Sequence, residues 1–64
     1  MICVGIDVAK DKHDCVILNS EGKALTGVFT IPNNADGFDT LLQKIHGCTS
    51  PDDKIKVGLE ATGH

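Results

Sequence analysis

VGIDVAKDKHD, residues Val4 to Asp14, is an apolar strand that runs into a carboxylate and then turns abruptly polar. Removing a charge from water is costly unless something pairs with it. Asp7 therefore marks either a strand end that reaches solvent or a site that binds a counter-charge. The continuous apolar run from Met1 to Val8 is the pattern of a central strand covered on both faces.

Working outward, Lys10 to Asp14 is a short polar connection and Cys15 to Leu18 a second apolar run, closed by the turn cluster Asn19-Ser20-Glu21-Gly22. Lys23 to Ile31 is rich in Val, Ile, Thr and Phe and predicts a third strand, with Gly27 as a bulge or close-approach point and Pro32 as its stop. Asn33 or Asn34 caps a helix whose Phe38, Leu41, Leu42 and Ile45 form one apolar stripe, expected to be core. Gly47 is placed to end that helix in a left-handed cap, and residues 49–53 form a loop. Lys54 to Glu60 then alternates, with Ile55, Val57 and Leu59 on one face and Lys54, Lys56, Gly58 and Glu60 on the other. Thr62 is suited to cap a following helix.

The order is β-β-β-α-β. Short links make the first three strands antiparallel, and a right-handed crossover through the helix sets the fourth parallel to the first, on the side away from the second. The fold class is α/β with a mixed sheet.

The totals narrow the function. Sixty-four residues make one domain at most, with a small core. A net charge of −3 argues against this segment gripping a phosphate backbone by itself. Three cysteines, Cys3, Cys15 and Cys48, suit a reduced cytoplasmic chain better than a disulfide scaffold. No apolar stretch is long enough for a membrane span, and no signal peptide is evident.

With the first and fourth strands parallel neighbours, Asp7 and Glu60 emerge at one sheet edge, where open α/β sheets place their ligands. Side-by-side carboxylates repel, and a shared proton or a bound cation relieves the repulsion. Oxygen ligands alone suit Mg²⁺ or Mn²⁺, and carboxylate pairs on such ions commonly serve phosphoryl chemistry. A blander account has Asp7 forming a turn and Glu60 capping a helix or pairing with Lys10. Asp11 and Asp14 read as surface acids. His13-Asp14-Cys15 and His46-Gly47-Cys48 lack the C-x-x-C core of strong zinc motifs. Lys54 and Lys56 read as charges that discourage pairing at an edge.

GIDVAKDKHD, FTIPNNADGFDTLL and GLEATGH together resemble the N-terminal region of the insertion-sequence DEDD transposases, the group that includes Piv-type DNA invertases. The resemblance spans essentially the whole chain. It implies a RuvC-like, RNase H-like core in which Asp7 and Glu60 are the first two catalytic, metal-binding acids of a tetrad. The other two acids, and a C-terminal domain carrying a Ser proposed as nucleophile, would lie beyond residues 1–64. The chain is thus expected to be the N-terminal fragment of one catalytic domain, inactive alone. The resemblance further implies Mg²⁺ or Mn²⁺, two ions in the complete site, as cofactor. DNA ends and target sites would be substrates, with a guide RNA in some members and a homo-oligomeric assembly. Lys10, Lys12 and His13 are the residues near enough to assist nucleic-acid contact.

Two rivals share the strand order. Sugar kinases and actin-like ATPases also begin with a strand ending in Asp, but follow it with Gly and small hydroxyl residues, where this chain has Val8-Ala9-Lys10-Asp11. No G-x-x-x-x-G-K-[ST] loop occurs either. The other rival is a non-catalytic assembly module that pairs through an open strand edge.

Overall fold

The computed structural model describes residues 1–61. Four strands and one helix follow in the order β1 (Ile2–Val8), β2 (Lys12–Leu18), β3 (Phe29–Pro32), α1 (Ala35–Cys48) and β4 (Ile55–Ala61). They build a single sheet in the order β3-β2-β1-β4. β1 pairs antiparallel with β2 and parallel with β4, and β2 pairs antiparallel with β3. This is the expected mixed α/β arrangement. Thr62, the expected cap of a further helix, lies outside the described residues.

The β1–β2 link is shorter than the expected Lys10–Asp14 connection: β2 begins at Lys12, so only residues 9–11 lie between the two strands. After β2 the chain turns on Asn19, whose Oδ1 accepts from the N–H groups of Glu21 and Lys23 at 2.9 and 3.0 Å. Gly22 follows at φ +81°, a left-handed conformation that glycine adopts without steric cost.

The third strand is shorter than the Lys23–Ile31 run predicts. Ala24 forms one isolated bridge to Leu18, and regular pairing resumes only where Phe29 meets Cys15. Between those points the chain advances five residues against three on β2, so two residues bulge out. The Thr26 hydroxyl accepts from the N–H of Ile17 at 3.3 Å, taking a donor that a regular ladder would have used. Gly27, inside this excursion, is the expected irregularity.

Asn34 is the helix cap, its Oδ1 accepting from the N–H of Gly37 at 2.8 Å. The opposite end departs from expectation. Gly47 lies inside α1, and Thr49 ends it in an extended conformation at φ −124°, with no left-handed glycine. Gly37 instead has the structural role, because a Cβ there would collide with the carbonyl oxygen of Pro32. That close approach seats the first turn of the helix on the end of β3.

α1 packs over β3 and β2. Leu41 and Ile45 join Ile2, Val4, Ile6, Cys15, Ile17 and Ile31 in the buried core. Only half of the expected stripe is therefore core: Phe38 stays 44% exposed and Leu42 53%. The helix line that meets the sheet is Gly37, Leu41 and Ile45, and Phe38 and Leu42 flank it one residue round. β1 likewise differs from the expectation of cover on both faces. Ile2, Val4 and Ile6 are buried under the helix layer, whereas Cys3, Gly5 and Asp7 on the opposite face are half-buried.

Candidate carboxylate site

Strand alternation and the observed register fix what lies on the face away from the helix. Asp7 stands opposite Asp14 on β2 and opposite Glu60 on β4, so three carboxylates form one row across three adjacent strands. One step along the strands, the row is Val16, Gly5 and Gly58. The two glycines place no side chains beside the acids. The result is an open depression of ≈ 610 Å³ walled by Asp7, Asp14, Glu60, Gly5, Val16 and Gly58.

Each acid is held differently. Asp7 sits on the central strand, and its Oδ1 is buried with no hydrogen-bond partner among the described residues. A buried carboxylate oxygen in that state costs free energy that a cation would return. Asp14 is exposed, and its Oδ1 accepts from the Thr30 hydroxyl at 2.7 Å. Glu60 is exposed on the edge strand. Among the described residues no group of three or more His, Cys, Asp or Glu side chains is placed to hold one metal ion. The three carboxylates of the row therefore do not gather on one point. Hard oxygen donors with one oxygen unsatisfied fit Mg²⁺ or Mn²⁺ in chemistry.

The residues expected to assist nucleic-acid contact separate. Lys10 lies in the exposed bend after β1, where its carbonyl accepts from Asn33 Nδ2 at 3.2 Å. Lys12 is exposed and shares the alternating face of Asp14. His13 does not join them: it is buried on the helix side, its Nδ1 accepting from the N–H of Ala9 at 3.2 Å and its ring 6.0 Å from that of Phe38. The period-two alternation that sends Asp14 outward sends His13 inward.

Asp14 is exposed, as its reading as a surface acid expects; what that reading lacks is its place opposite Asp7. A signal was available in the hairpin: once Ile6 pairs with Cys15, Asp7 must pair with Asp14. The cysteines offer no competing chemistry. All three are free thiols, and Cys15 is buried, with burial first and the Asp14 charge second pushing its thiol above the ordinary range. Neither His-x-Cys pair gathers a zinc set.

Comparison with known proteins adds one finding. A family model of the DEDD type represented by IS110, described as transposase, matches residues 4–64. No curated protein and no solved structure matches the chain. No helix among the described residues is long and apolar enough to cross a membrane.

Proposed function

We propose that this chain, which belongs to the DEDD transposase family, supplies the first two carboxylates of a metal-dependent site for cleaving and transferring DNA strands. The observation that carries the reading is the β1–β4 register, which sets Glu60 beside Asp7 on the open face while Asp7 Oδ1 has no hydrogen-bond partner among the described residues.

Asp7 and Glu60 would hold the cation. When bound, Mg²⁺ or Mn²⁺ supplies Lewis acidity toward a phosphodiester and activates water, with two ions in the complete site. The chain's own residues do the rest. The central position of β1 fixes the Asp7 carboxylate against a rigid core, and Glu60 is carried on the strand hydrogen-bonded to it. Gly5 and Gly58 leave the adjoining sheet surface low, so that a sugar-phosphate backbone can lie close to the acids. Lys10 and Lys12 contribute positive charge at the same end of the sheet. With a net charge of −3, the segment leaves most of the DNA grip to the remainder of the protein. The remaining two acids, and a Ser nucleophile in a C-terminal domain, would lie there too. So would contacts to a guide RNA, where one is used.

Nicking of element-end DNA by the full-length transposase tests this reading. Asp7→Asn and Glu60→Gln are each expected to slow cleavage about a thousandfold, or ~4 kcal/mol in the barrier. Parental cleavage rates in both variants would overturn it.

A further inference from the structure

The chain between β1 and β2 is held in place although the core does not need it. Ala9, Lys10, Asp11 and Lys12 are all exposed, so ordering them costs conformational entropy that apolar burial does not return. Three hydrogen bonds nevertheless fix them. His13 Nδ1 accepts from the N–H of Ala9 at 3.2 Å, Asn33 Nδ2 donates to the Lys10 carbonyl at 3.2 Å, and the N–H of Asn33 donates to the Asp11 carbonyl at 3.0 Å. Asn33 thus supplies two of the three.

Asn33 itself stands on a stiff corner. Pro32 before it has a fixed φ, and Asn34 after it caps α1. The N–H of Asn34 donates to the Pro32 carbonyl at 2.9 Å, and the same carbonyl lies against Gly37 in the first turn of the helix. The loop therefore takes its rigidity from the β3–α1 corner.

The tie sets the place of two cations. Lys12 shares the face of Asp14 and lies one alternation step, about 7 Å, beyond it toward the end of the sheet where β1 leaves. Lys10 lies in the bend between the strands. Lys10 and Lys12 outnumber Asp11, so this link is net positive at the margin of the carboxylate row. Among the described residues neither lysine is engaged in an ion pair.

We propose that Asn33 is a positioning residue for DNA: by holding the Lys10 and Asp11 carbonyls it keeps Lys10 and Lys12 where they take a backbone phosphate of the strand entering the carboxylate site. The inference rests on the DNA-cleaving reading above and adds the residue that sets the approach of the polyanion. A lysine on a free loop would lose that freedom on binding, whereas one on a tied loop has already lost it on folding. His13 has the same part at the start of the loop, holding Ala9 from the buried side without touching DNA.

Binding of a duplex of arbitrary sequence to the full-length transposase in EDTA, over a range of salt, tests the proposal apart from any cation chemistry. Lys10→Ala and Lys12→Ala are each expected to weaken binding about fivefold and to lower the slope of log Kd against log salt by about one. Asn33→Ala changes no charge and keeps the backbone N–H, yet is expected to weaken binding about threefold and to lower the salt slope. With both lysines already replaced by alanine, it is expected to have no further effect. Under cleaving conditions Asn33→Ala should raise KM for DNA and leave kcat in place, because it does not touch the acids. Parental affinity and salt slope in Asn33→Ala, or a loss that persists undiminished without the two lysines, would overturn the proposal. Parental cleavage by Asp7→Asn and Glu60→Gln would leave these binding results standing, so the two readings fail separately.

Discussion

Asp7 is kept in a position that folding alone does not favour. One of its oxygens is buried without a partner among the described residues, and its register neighbours on both sides are acids. Replacing it by Asn removes the charge while keeping the shape. Asp7→Asn is therefore expected to stabilise the cation-free chain by about 1 kcal/mol, a rise of about 4–8 °C in melting temperature for a domain of this size. Thermal unfolding in EDTA checks this, and a lowered melting temperature would mean that the carboxylate is better satisfied by the fold than its surroundings suggest. The sequence made this residue legible, because an Asp ending an apolar run breaks the pattern of its own strand. Glu60 was legible by the same reasoning at the end of the alternating run. Asp14 was legible as a surface acid, but not its place opposite Asp7, which is a property of the hairpin register rather than of its own neighbours in sequence.

At the scale of elements, hydrophobic periodicity was sufficient where side-chain burial governs the backbone. That holds for β1, β4, the body of α1 and the Cys15–Leu18 part of β2, which begins earlier than its apolar run, at Lys12. It failed where a local polar group competed or where space was the deciding quantity. Thr26 withdrew a backbone donor from the β2–β3 ladder, which no count of β-branched residues anticipates. The glycines of the helix show the second failure. Gly47 carries the sequence signature of a helix stop yet sits within the helix with open space around it, whereas Gly37 looks incidental and is sterically required. The two should respond oppositely to alanine. Gly37→Ala must displace the helix from Pro32 and is expected to cost about 2 kcal/mol or more, whereas Gly47→Ala is expected to stabilise by about 0.5–1 kcal/mol. Denaturant titration of both variants checks the contrast, and equal effects would contradict the assigned packing. Phe38 and Leu42 belong to the same lesson: periodicity shows that a stripe exists, but the width of sheet beneath it decides how much is buried.

For the molecule as a whole, the layout is asymmetric by face. The helix and the apolar residues of β1, β2 and β3 seal one side, and the acids lie across the other on strands whose order follows from one crossover. That arrangement gives the site a rigid floor and an open approach, as a site acting on a long polyanion requires. The proposed site requires Asp7 and Glu60 to share one divalent cation. Mn²⁺ titration of the isotope-labelled chain, followed through paramagnetic broadening of amide resonances, tests this most directly. Saturable broadening is expected, centred on Asp7 and Glu60 and the strand ends that carry them, and lost in Asp7→Asn. Broadening spread over Asp36, Asp39, Asp52 and Asp53, with Asp7 and Glu60 unaffected, would contradict it.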